Sequence, residues 1–276
     1  MLIDTFTADW LQALDAAYRT RPEGTFIHLL IDGAFRPGHH NSVATNEVHM
    51  LFAGLPGFNE ATRDVSPFVV AYAPGDHKLR AMLTACSGWP MVSAITTTES
   101  AKELAKRLTA WCVVEVDGQY LNFRFPDTRR LPDIFIILNA EQSSEFAGTA
   151  MEWRYIGRAG EWVTVTLTPS QCAPSVDPKL ESEQFSALVA RGDVDVMLAR
   201  AASIGCQPKA PLKSTQYAIT ETAMAIAIKN QLQDDALFWC NWCLEAASVA
   251  DSKTLEELFV MWAAEELALA QEGIEE

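Results

Sequence analysis

The stretch DGQYLNFRFPDTRRLPDIF, Asp117 to Phe135, decides the fold. CVVEV precedes it, and Asp117-Gly118 between two runs of strand-forming residues is the turn chemistry of a two-residue hairpin. Leu121, Phe123 and Phe125 alternate like one buried face of a strand, with Asn122 and Arg124 on the other. Pro126 stops that strand. Asp127, Arg129 and Arg130 then crowd a corner before an apolar run to Leu138 that reads as helix. Three arginines and an aspartate beside core admit three readings: a catalytic corner, an anion site or a structural clamp. An aspartate just before a helix can cap it, and an arginine can pair with it bidentately. Asp127 lying so close to Arg124 and Arg129 favours the clamp, because an anion site needs the guanidinium groups free.

Working outward, strands alternate with helices. A helix spans roughly Thr7 to Arg19, followed by TFIHLLIDGA, a strand whose continuous apolar run predicts burial on both faces. NSVATNEVHMLF reads as a short helix ended by Gly54. PFVVAYA and MVSAIT are strands separated by the helix GDHKLRAMLTACSG. ESAKELAKRLTAW is amphipathic, with Ala101, Leu104, Ala105 and Leu108 on one face. Asn139 and Gln142 form a capping box for AEQSSEFAG, and EWRYIGRAGEWVTVTL is a second hairpin. The fold class expected is α+β (mixed α/β) with a central mixed sheet over residues 1–168. TPSQCAPSVDPKL marks a linker at 169–180. Residues 181–276 form an all-α lobe, with helices at Glu181–Ala190, Val194–Ser203, Gln216–Asn230, Asp235–Ala247 and Thr254–Ala270.

Composition narrows the functions. The 276 residues are 49% hydrophobic, enough for one large core or two modest ones, and too apolar for a disordered chain. A net charge of −15 with no long Lys/Arg run argues against nucleic-acid binding. The first ten residues lack a signal-peptide pattern, and the longest apolar run is too short to span a bilayer. Six scattered cysteines suit reduced thiols, so a cytoplasmic protein with no membrane partner is expected.

No motif assembles an active site. There is no G-x-S-x-G, P-loop or G-x-G-x-x-G. Cys240 and Cys243 form a CxxC inside an apolar helix with no second pair, which reads as two small buried residues. His39-His40 reads as a polar loop and His28 as a hydrogen-bonded core residue. Asp32, with Gly33, follows a strand, where an acid serves either catalysis or a turn. No catalytic residue, metal or cofactor is assigned.

The corner FRFPDTRRL resembles the FRFYDPRVL pattern of the type VI secretion adaptor/chaperone family, domain-of-unknown-function proteins encoded beside VgrG spike genes and also called Tap or TEC proteins. IHLLIDGA, Trp89 with TESAKELAKRL, NAEQSSEFAG and the second hairpin resemble further blocks in the same order, over roughly Phe26 to Leu188. Pro126 and Thr128 replace the family's tyrosine and proline, Pro90 its glycine after the tryptophan, and Arg107 its helix histidine. The resemblance implies a non-enzymatic protein that binds a secreted effector in the cytoplasm and helps load it onto its VgrG spike. It marks Asp32, Gly33, Trp89, Arg124, Phe125, Asp127, Arg129 and Leu131 as scaffold residues. Trp239, Trp242, Phe259 and Trp262 of the helical lobe are the expected partner-binding residues. Two rival readings are a small hydrolase or transferase using Asp32 with Arg124 and Arg129, and a regulatory or immunity-like binding protein.

Overall fold

The structure, a computed structural model, describes residues 2–43, 48–232 and 235–272, with side chains up to residue 264 in the last of these segments. The chain forms two compact units, Met1–Val189 and Ala190–Glu276.

In the first unit, α1 (Trp10–Thr20) precedes the central strand β1 (Phe26–Ile31). β2 (Val48–Met50), α2 (Glu60–Val65), β3 (Phe68–Ala71), α3 (His77–Ala85), β4 (Val92–Thr97) and α4 (Ala101–Ala110) follow. Next come the hairpin β5 (Val113–Val116) and β6 (Gln119–Asn122), then α5 (Leu131–Ile137) and α6 (Ala140–Ala147). A second hairpin, β7 (Glu152–Ile156) and β8 (Trp162–Thr166), leads to α7 (Ser182–Ala190).

Six strands make one sheet in the order β2-β3-β1-β4-β7-β8. The α+β class expected for this half is present, but the sheet is antiparallel at every described ladder rather than mixed. The strand–helix alternation does bring β3 and β4 parallel to each other, but β1 lies between them and pairs antiparallel with both.

β1 is buried on both faces, as its apolar run predicts. Ile27, Leu29 and Ile31 face one core with Trp10, Leu14, Leu79 and Leu83. Leu30 faces the other with Ile95, Leu104, Trp111, Phe125, Phe146 and Trp153. The sheet is therefore the middle of three layers. Helix caps behave as the sequence suggests. Ser100 and Glu103 form a capping box on α4, and Asn139 and Gln142 form one on α6.

The helix expected over NSVATNEVHMLF is not there. His39–Ser42 is a 3-10 turn, Val48–Met50 pairs with β3 as an edge strand, and residues 44–47 lie outside the described residues. The backbone bonds that β3 offers at this edge override the local pattern. His39 and His40 are buried, not in a polar loop. His39 Nε2 lies 3.1 Å from the Met82 carbonyl and 3.3 Å from Cys86 Sγ. The α7 segment, assigned by sequence to the helical lobe, packs in the first unit, where Leu180 and Leu188 join the core behind the hairpin.

The second unit contains α8 (Asp193–Ser203), α9 (Lys213–Lys229), α10 (Ala236–Ala246) and α11 (Ser252–Glu272). Its core holds Ile219, Ala223, Trp239, Cys240, Cys243, Leu244 and Leu255.

Phe125 is fully buried and meets Phe146 edge-on with ring centroids 5.3 Å apart. Truncating it leaves a cavity as well as losing transfer energy. Phe125→Ala is expected to cost about 3–5 kcal/mol in urea unfolding. Ile136→Ala, on an exposed side chain of the neighbouring helix, is expected to stay within about 0.5 kcal/mol. Equal losses for the two would contradict this packing.

Candidate functional site: the Asp32–Arg124 corner

Asp117 and Gly118 both take positive φ, 49° and 78°, which is the backbone a tight hairpin turn requires. The β5–β6 ladder ends at Val113↔Asn122, sooner than the alternation through Phe125 predicts. The chain instead bends where Phe125 N–H donates to the Phe123 carbonyl, which sends both phenylalanines into the core. Arg124, between them, is left pointing outward with a 45% exposed side chain.

From there it reaches Asp32, at the end of β1. Asp32 Oδ2 accepts from Arg124 Nη2 at 3.0 Å, and Oδ1 accepts from Ala34 N–H at 3.0 Å, capping the 3-10 turn Gly33–Phe35. The carboxylate is 1% exposed. Burial pushes the Asp32 pKa up; Arg124 and the Ala34 N–H offset part of that, and the nearby Asp127 charge adds to it.

The clamp inferred from sequence exists with different partners. Asp127 pairs with Arg129, not Arg124: Oδ2 accepts from Nη2 at 2.8 Å, while Oδ1 accepts from Nε and from the backbone N–H, each at 3.1 Å. Asp127 does not cap α5, whose N-cap is Arg130 with no side-chain capping bond. Its side chain bonds the backbone two residues on, an Asx-turn. Arg130 donates to the Leu188 carbonyl at 2.8 Å, tying the corner to the last turn of α7. Leu131 is fully buried behind it.

Phe35 joins the two ion pairs. The guanidinium carbons of Arg124 and Arg129 stand 5.6 and 5.7 Å from its ring centroid, within cation–π range, and half-buried Trp89 leans on it at 6.2 Å. The loop beside Trp89 is bonded from both sides: Asp32 N–H donates to Met91 O and Thr128 N–H to Pro90 O. A proline at position 128, as in the pattern this corner resembles, could not make the second bond. Gly33 is required by close approach, since a Cβ there would meet the Ser66 carbonyl oxygen at 2.3 Å.

A cleft of ≈100 Å³ opens beside the ion pair, lined by Asp32, Phe52, Asn122, Phe123, Arg124 and Pro126 among others. The scaffold residues Asp32, Gly33, Trp89, Arg124, Phe125, Asp127, Arg129 and Leu131 all lie in this corner or in the core beside it. The sequence reading missed Phe35, whose only signal is an aromatic residue three positions after the aspartate.

Arg107, named from sequence only as the replacement for a family histidine, is buried and extensively bonded. Its Nη2 lies 2.6 Å from Glu99 Oε1, and it donates to the Glu145 and Cys172 carbonyls. Gly148 makes room, because a Cβ there would lie 2.3 Å from Arg107 Nε. A cation among the inward positions of an otherwise amphipathic helix was the available signal.

The helical-unit aromatics divide. Trp239 is fully buried and donates its indole N–H to the Ala223 carbonyl at 2.8 Å; Trp262 is 6% exposed. Trp242 and Phe259 are partly buried, while Phe238, Val260 and Met261 on the same helices are exposed. Cys240 and Cys243 are buried free thiols, with burial pushing Cys240 up to about 12. Among the described residues no group of three or more His, Cys, Asp or Glu could hold a metal ion, and no helix is long and apolar enough to cross a membrane.

The corner, the first hairpin and strands β1 to β4 of the sheet fall inside a family match. Residues 27–145 match a domain of unknown function, DUF4123. That segment runs from β1 to α6 and contains both ion pairs of the corner. No curated protein and no solved structure matches the chain.

Asp32 also makes the corner sensitive to pH. Its folded-state pKa is raised above the ordinary 3.8, so the native state binds that proton more tightly than the unfolded chain does. The Asp32 contribution is therefore full below 3.8 and declines as pH rises through the raised value. Asp32→Asn removes it. The stability of the wild type relative to Asp32→Asn is expected to fall as pH rises above 3.8, measured by urea unfolding across the acid range. A difference that stays flat or grows would contradict the environment described for Asp32.

Proposed function

We propose that this chain is a non-enzymatic adaptor and chaperone that binds a type VI secretion effector in the cytoplasm and helps load it onto its cognate VgrG spike. One observation carries the reading: the DUF4123 match covers the strand end, the hairpin and the corner, and that family is associated with type VI secretion adaptors. The geometry is compatible. Each oxygen of the most buried acid at the site already accepts a hydrogen bond, and the arginines beside it join strand, loop and helix. In this reading the first unit is the common scaffold, and the helical unit contributes partner specificity.

A second reading rests on the cleft itself. A half-exposed arginine beside a buried acid is also what a small hydrolase or transferase acting on an anionic substrate requires. Against it, Asp32 is 1% exposed, and its contacts are to Arg124 and a backbone N–H rather than to a nucleophile.

The test is co-expression of the full chain with the effector encoded beside it, together with a secretion assay in a deletion strain. The adaptor reading expects effector and chain to co-purify, and expects deletion to abolish effector secretion while the effector remains toxic when expressed directly. An effector secreted normally without the chain would overturn it. Self-intoxication of the deletion strain would favour an immunity-like protein instead.

A further inference from the structure

The cleft beside Arg124 continues into an apolar depression. A second hollow, of ≈150 Å³, shares Phe52, Cys112 and Asn122 with it and adds Leu55, Phe58 and Val113. The first hollow ends at a charged group, and the second is walled chiefly by aliphatic and aromatic side chains, with Thr62 and Asn122 among them. Phe58 is 37% exposed at the open end.

Arg124 lines the first hollow and has capacity to spare. A guanidinium has five N–H donors, and Arg124 gives one hydrogen bond, to Asp32. That bond and the Phe35 ring fix its orientation, so a second anion meets a group already held in place. The Arg124 side chain is 45% exposed and lines the groove, so its remaining N–H groups are open to an anion.

We propose that this composite groove is a docking site for a segment of the secreted partner that carries a Glu or Asp side chain next to a bulky apolar one. The carboxylate takes the open donors of Arg124, and the apolar side chain fills the hollow between Phe52, Leu55 and Phe58. Arginine–carboxylate pairing is directional and charge-assisted, which sets the register, and apolar burial supplies affinity. Naming the secreted partner as occupant rests on the adaptor reading; the groove's preference for an acidic–apolar segment does not.

The probe is a library of random dodecapeptides displayed on phage and selected on the full-length chain. Selected peptides are expected to hold Asp or Glu beside Leu, Ile, Phe or Trp. Replacing that acid by its amide, and separately the substitutions Phe58→Asp and Arg124→Lys, are each expected to weaken binding at least tenfold. Arg124→Lys keeps a cation for Asp32 but lacks the fork. Peptides without an acid, or peptides bound equally by wild type and Phe58→Asp, would overturn the proposal; the amide exchange leaves the protein untouched, so folding does not confound it. Effector that co-purifies with Phe58→Asp as well as with wild type would sink the docking assignment and leave the adaptor reading standing. A wild type that holds no effector would sink the adaptor reading, and the peptides would still judge the groove.

Discussion

A carboxylate buried at the end of the central strand needs a cation, and in this fold the cation comes from 92 residues away. Burial of an ionised group is costly unless it is paired and hydrogen-bonded. Asp32 is 1% exposed, and the chain brings Arg124 to it, so the corner is built around that pairing. The β5–β6 hairpin has to end where it does, the chain has to bend at Phe123–Phe125, and the turn after Pro126 has to fold back onto the loop at Trp89–Met91. Gly33 allows the strand end to press against Ser66, and Phe35 supplies the ring on which both guanidinium groups rest. The Asp127–Arg129 pair then stiffens the turn, and Arg130 extends the same corner to α7.

Local chemistry was legible in the sequence. Asp117-Gly118 predicted a hairpin, and the structure supplies one with both residues at positive φ. The Asn139 and Gln142 spacing predicted a capping box, and the uninterrupted apolar run of β1 predicted burial on both faces. These features depend on neighbours in the chain, which a sequence displays directly.

Pairing at a distance was not legible. Asp127 lies near both Arg124 and Arg129 in sequence, and proximity suggested a three-residue clamp. The fold sends Arg124 to Asp32 instead, because the bend at Phe123–Phe125 turns both rings into the core and leaves Arg124 facing the end of β1. The antiparallel sheet escaped for a related reason: helices between strands suggest parallel neighbours, and only the insertion of β1 between β3 and β4 removes them. The edge strand β2 is held by bonds to β3 that its own sequence does not advertise. Arg107 was visible in the sequence only as a departure from the family pattern; its partners, Glu99 and two carbonyls, and the room left by Gly148 come from the fold.

The corner joins a structural task to an exposed one. Arg124 neutralises a buried acid with one edge of its guanidinium and presents the rest to a groove, so the group that organises the scaffold is also the group a partner can read. This dual use requires that Asp32 and Arg124 be energetically coupled in the folded chain. A double-mutant cycle in urea at neutral pH, with Asp32→Asn, Arg124→Gln and the double substitution, measures that coupling directly. The account predicts a coupling energy of about 1–3 kcal/mol, with the double variant more stable than the sum of the single losses implies. Additive losses, within about 0.5 kcal/mol, would contradict it.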